Sequence, residues 1–72
     1  MELFNRLREI RIQKKFTQES LADAVGVTRQ TIIAIEKRRF IPSTKLAFEL
    51  ARILDVSIDD LFWLENRKGG VT

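Results

Sequence analysis

The sequence predicts an all-α fold, a compact five-helix bundle with a helix-turn-helix formed by helices 2 and 3. Three observations predict it. Apolar residues recur at helical spacing along the chain, as in Leu46, Ala47, Leu50, Ala51 and Leu54, the period of about 3.6 that marks one buried helix face. An apolar residue or proline followed by a hydroxyl residue recurs at Phe16-Thr17, Val27-Thr28, Pro42-Ser43 and Val56-Ser57, the pairing that opens and caps a helix. The five helical segments are joined by connections of two to six residues, as a compact bundle requires.

The first helix is expected to carry Leu3, Phe4, Leu7 and Ile10 on one arc and to run to about Lys14. Thr17 then caps the second helix, with Phe16 placed to staple onto Leu21. It ends near Val25, where Gly26 supplies the left-handed C-terminal turn. Val27-Thr28 with Ile32 opens the third, which reaches about Lys37. Pro42-Ser43-Thr44 opens a fourth through Leu54, and Val56-Ser57 with Leu61 opens a fifth. Ser57-x-x-Asp60 matches a capping box in its acidic form. Residues 1–66 are thus expected to form one domain, and Arg67-Lys68-Gly69-Gly70-Val71-Thr72 a flexible tail.

Composition excludes several function classes. With no cysteine and no histidine, neither a disulfide framework nor a thiolate or imidazole zinc site can form, and no cofactor or metal is implied. The absent cysteine fits a cytoplasmic address. No apolar run approaches the roughly 20 residues of a membrane span, and Met1-Glu2 does not begin a cationic leader. Catalysis is not expected, because the usual general base and the best neutral-pH nucleophile are both missing. Asp59 and Asp60 read better as carboxylates at a positive helix end than as a catalytic dyad.

The net charge of +3 is unevenly spread. Residues 1–16 carry +3, residues 28–45 carry +4, and residues 46–66 carry −4. A basic front opposite an acidic back points to a polyanion, although a chance segregation on a solvated surface gives the same tally.

Helices 2 and 3 localise that partner. An eight-residue helix, a short turn containing Gly26 and a second short helix have helix-turn-helix spacing. Stepping about 100° per residue from Arg29 places Ile33, Lys37 and Gln30 within one outward arc of about 100°, while Ile32 and Ile35 turn inward. Arginine, glutamine and an aliphatic residue together can read guanine, adenine and the thymine methyl.

Residues 17–37, from Thr17-Gln18 through Gly26-Val27-Thr28 to Ile32-x-x-Ile35-Glu36, resemble the helix-turn-helix of the XRE-type family, the phage lambda repressor and Cro-like regulators. The resemblance continues through Pro42-Ser43 and Leu46-Ala47 to Val56-Ser57-Ile58-Asp59-Asp60-Leu61-Phe62. It is nearest to small, stand-alone repressors. It implies that Arg29, Gln30 and Ile33 meet base edges in the major groove. Gln18 would bond a phosphate and brace Gln30. Thr17, Thr28, Thr31, Lys37, Arg38, Arg39, Phe40 and Ser43 would face the DNA backbone. Arg11 falls on the apolar side of helix 1, where it needs a partner. In the family this position pairs with that of Glu36, the alternative being that Arg11 reaches a phosphate alone.

Two residues depart from the family pattern. Arg38 stands where glycine is common, so the turn either carries about 1 kcal/mol of left-handed strain or takes another conformation. Ile41 replaces a common asparagine and either touches a base methyl or packs.

One such module buries little surface, so a homodimer on a two-fold symmetric operator is expected. Ile58, Leu61, Phe62, Trp63 and Leu64 are the candidate dimer interface, beyond what a short last helix can bury alone. Phe62-Trp63-Leu64 can instead run extended, since relatives in the family sometimes add a short strand pair here. Leu61 in any case serves the bundle's own core. Two function classes compete: a double-stranded DNA-binding transcriptional regulator, with repression the default, and an antitoxin-type protein-interaction module that autoregulates its operon. A regulatory protein partner fits either.

Overall fold

A computed structural model describes residues 1–66; the proposed tail, 67–72, lies outside the described residues. Five helices follow one another as α1 (Leu7–Gln13), α2 (Gln18–Val25), α3 (Arg29–Glu36), α4 (Thr44–Leu54) and α5 (Ile58–Leu61). They are flanked by two strands, β1 (Glu2–Asn5) and β2 (Phe62–Glu65), so the five expected helices are present, the extended alternative for Phe62-Trp63-Leu64 is the one realised, and the all-α description holds only roughly.

The first helix therefore begins four residues later than its apolar spacing predicts. Leu3 and Phe4 belong to β1, which pairs antiparallel with β2 in the register Glu2↔Glu65, Leu3↔Leu64, Phe4↔Trp63 and Asn5↔Phe62. Alternation explains the choice. On a strand, Leu3 and Phe4 point to opposite faces, so Leu3 packs on the core while Phe4 meets Trp63. Asn5 makes the break: its side-chain oxygen accepts the Leu7 N–H at 3.0 Å, and its amide donates to the Ile35 carbonyl at 3.0 Å.

Four helices open on hydroxyl caps. Thr17, Thr28, Ser43 and Ser57 accept the backbone N–H of Ser20, Thr31, Leu46 and Asp60. At α2 the box is reciprocal, because the Ser20 hydroxyl oxygen accepts the Thr17 N–H at 2.9 Å. At α5 only the Ser57 half of the expected box forms.

The core holds Leu7, Leu21, Ile32, Ile35, Leu50, Leu54 and Leu61, all fully buried. Each contributes about 1.5–3 kcal/mol relative to exposure. Phe16, Val27 and Val56, which precede three of the four caps, pack against this cluster. Every element from α1 to β2 reaches one shared centre, which holds α2 and α3 as a unit.

Candidate nucleic-acid interface

The site begins at the turn between α2 and α3. Gly26 adopts φ +75°, and a Cβ there would meet nothing within 4 Å. Backbone conformation, not space, thus calls for glycine. Thr28 then starts α3, its hydroxyl accepting the Thr31 N–H at 3.3 Å and lying 3.1 Å from the Thr31 hydroxyl.

The polar side chains of α3 divide cleanly. Those turned toward the protein are partnered: Thr31 to Thr28, and Glu36 to Arg11 and Gln18. Arg29 and Gln30 are exposed and have no hydrogen-bond or ion-pair partner among the described residues. Lys37 and Arg39, just beyond the helix, are likewise exposed and unpaired. Ile33 is half-buried rather than fully outward, while Ile32 and Ile35 are in the core. Phe40 is exposed, and Ser43 is exposed at the cap of α4.

A buried charge network fixes the orientation of α3. Arg11 Nε donates to Glu36 Oε2 at 2.6 Å, with side-chain exposures of 10% and 5%. Arg11 Nη1 also donates to the Phe16 carbonyl at 3.0 Å, and Gln18 Nε2 donates to Glu36 Oε1 at 3.2 Å. Helices α1, α2 and α3 are tied at one point. Gln18 therefore braces Glu36 and not Gln30. A charge this deep needs such satisfaction, and no buried side-chain polar atom of the described residues lacks a partner.

After α3 the chain turns through Arg38 at φ +59°, in the left-handed region. The backbone thus keeps the conformation that glycine would favour. The turn is closed by the Arg38 N–H donating to the Ile35 carbonyl at 2.9 Å and the Arg39 N–H to the Ala34 carbonyl at 2.8 Å; the Arg38 guanidinium lies 4.1 Å from the Phe4 ring centroid, and Nη1 lies 3.4 Å from Glu2 Oε1. Phe4 in turn stacks beside Trp63 at 6.4 Å and 18°, and Arg6 lies 5.0 Å from the Trp63 ring centroid. Sequence reasoning missed this arrangement because it placed Phe4 on a helix.

The expected dimer interface is only partly accessible. Leu61 is 0% exposed and Phe62 8%, both inside the core. They are closed off by the strand pair, which folds Phe62 inward alongside Leu3 and Asn5. Ile58 is half-buried against the core, Trp63 is half-buried beside Phe4, and Leu64 is 59% exposed. Among the described residues, no group of three or more histidine, cysteine or carboxylate side chains could hold a metal ion, and no helix is long and apolar enough to cross a membrane.

Comparison with known proteins agrees with this geometry. Residues 7–61 match the family model described as helix-turn-helix. The chain is 43% identical to the HTH-type transcriptional regulator YgzD of Bacillus subtilis, over 86% of this chain and 94% of that one. It is 50% identical to the HTH-type transcriptional regulator MJ0272 of Methanocaldococcus jannaschii, with the same coverage. Among solved structures, the restriction-modification controller protein C.AhdI from Aeromonas hydrophila superposes with a TM-score of 0.72 at 33% identity, covering 76% of this chain and 80% of that one. With its capped pair α2–α3, its left-handed Gly26 turn and this breadth of match, the chain belongs to the XRE-type helix-turn-helix family of transcriptional regulators.

Proposed function

We propose that the protein is a sequence-specific repressor that binds a two-fold symmetric operator as a homodimer, placing α3 in the major groove. One observation carries the reading: on α3 the inward polar groups are all satisfied, whereas Arg29 and Gln30 stand exposed and unpartnered at its start. Unpaired donors at the N-terminal end of a recognition helix are what base edges require. Lys37 and Arg39 add unpaired charge just past its end, suited to phosphates. Thr17, Thr28 and Ser43 each accept a backbone N–H through oxygen. A hydroxyl that accepts still has a proton to donate, so the three caps can also bond phosphate oxygens.

The second copy would dock on what remains accessible of the expected interface, Ile58 and Leu64; Trp63 lies on the opposite face of the ribbon, between Phe4 and Arg6. Leu61 and Phe62 are excluded by burial. As a regulator of this kind the protein would act in the cytoplasm.

In vitro selection on random duplex DNA at about 150 mM salt, where non-specific binding is weak, tests the proposal. Enrichment of a palindromic motif, with half-sites about one helical turn apart, is the expected result. Recovery of unselected, salt-sensitive DNA would leave an electrostatic surface without sequence reading.

A further inference from the structure

Resting on the DNA-binding reading, we infer that Arg38 does not neutralise a phosphate but is a positioning residue. It fastens the DNA-facing loop 37–40 to the two-stranded ribbon through a platform made by Phe4 and Trp63.

The register builds the platform. Phe4 and Trp63 are directly opposed across β1 and β2 and stack at 6.4 Å, 18° from parallel. Alternation puts them on the ribbon face opposite Leu3 and Phe62, the residues turned to the core. Two guanidiniums lie over it: Arg38, from the turn after α3, over Phe4 at 4.1 Å, and Arg6, from the start of α1, over Trp63 at 5.0 Å. Arg38 is also paired with Glu2 of β1 at 3.4 Å. A guanidinium held over an aromatic ring and beside a carboxylate has its position set by the ribbon.

Lys37 and Arg39, its sequence neighbours, have no such partners. All three residues of the run Lys37-Arg38-Arg39 are exposed, but only Arg38 has partners, on the ribbon. Where the ribbon goes, the loop that carries Lys37, Arg39 and Phe40 goes with it.

The test combines salt dependence with a double-mutant cycle. Affinity for a labelled 30-base-pair mixed-sequence duplex is measured against salt for wild type, Arg38→Gln, Phe4→Leu, the double variant and Phe4→Tyr; each contact to phosphate contributes about 0.9 to the slope of log K against log salt. Thermal melts confirm that each variant is folded at the assay temperature. The expected result is an unchanged slope in Arg38→Gln, with affinity lowered about fivefold at every salt, the equivalent of one exposed cation–π contact. Phe4→Leu gives the same loss, the double variant loses no more than either single variant, and Phe4→Tyr retains wild-type binding.

In the free protein, the Arg38 side-chain protons show an upfield ring-current shift in NMR spectra that Phe4→Leu abolishes. A slope reduced by about one in Arg38→Gln, with Phe4→Leu harmless, would make Arg38 a phosphate contact and overturn the inference. Absence of the ring-current shift overturns it equally. If wild type binds no duplex at all, the DNA reading itself fails, an outcome distinct from wild-type binding with a failed clamp.

Discussion

At the residue scale, α3 separates side chains that hold the protein together from side chains that face outward. Arg29 and Gln30 belong to the second group, so their loss should cost binding and not folding. The double variant Arg29→Ala, Gln30→Ala is expected to lose operator preference while its melting temperature stays within a few degrees; each bidentate base contact is worth about 1–3 kcal/mol of discrimination. Unchanged preference on the selected operator would remove both from the reading set. Arg11 is the opposite case. Its guanidinium is the charge partner of Glu36, itself 5% exposed, and deleting one partner of a buried pair leaves the other uncompensated. Arg11→Ala should destabilise the domain by about 3 kcal/mol or more, measured by urea unfolding. Replacing the pair together by Arg11→Met and Glu36→Leu should cost less than the single change. Arg11 stood out in the sequence as a cation on an apolar arc. That Gln18 would join Glu36 did not, because an amide at a helix start carries no sign of which neighbour it faces.

At the scale of elements, beginnings and ends of helices are written in different chemistry. Every hydroxyl cap predicted from sequence is present at its position, because capping depends on one side chain and its own backbone. The ends are another matter. After α1, α2, α3 and α4 the chain makes the same closure, with paired bonds such as Phe16 N–H to the Arg11 carbonyl and Lys15 N–H to the Ile12 carbonyl, the Schellman arrangement. Only Gly26 announces it. Lys15, Arg38 and Asp55 adopt φ between +58° and +67° without being glycine, so tertiary packing imposes the turn. Aspartate tolerates this region, and Arg38 is anchored on Phe4. Exposed Lys15 has neither excuse, as it makes no side-chain hydrogen bond or ion pair among the described residues. Lys15→Gly should therefore stabilise the domain by up to about 1 kcal/mol, whereas Arg38→Gly should be nearly neutral, strain relief being offset by the lost cation–π contact. Chemical denaturation decides; a larger gain at Arg38 than at Lys15 would contradict the ordering. Strand β1 was illegible for a related reason. Its four residues hold a pattern compatible with a helix, and only pairing with residues some 60 positions away selects the strand.

At the scale of the whole molecule, positive and negative charge fall in different segments, and the two interactions proposed for the protein should respond oppositely to salt. Residues 28–45, which include α3 and the loop after it, carry +4, whereas residues 46–66 carry −4. Binding of the first to duplex DNA releases counterions and weakens steeply as salt rises. The proposed dimer face lies in the second, where Ile58 and Leu64 adjoin Asp59, Asp60 and Glu65. Two copies meeting there across a two-fold axis bring like charges together, and salt screens that repulsion over about 10 Å at 0.1 M. Self-association should accordingly tighten between low and moderate salt while DNA affinity falls, which sedimentation equilibrium and duplex titration in the same buffers would show. Leu64→Glu adds a charge at the most exposed apolar residue of that face, 59% accessible and therefore dispensable for the fold. The variant should sediment as a monomer and lose about 100-fold in affinity for the full operator, because the second half-site is no longer tethered to the first. Its affinity for a single half-site should not change. A variant that remains dimeric would place the interface elsewhere, and a variant that loses half-site binding as well would show that Leu64 supports the DNA-binding face itself.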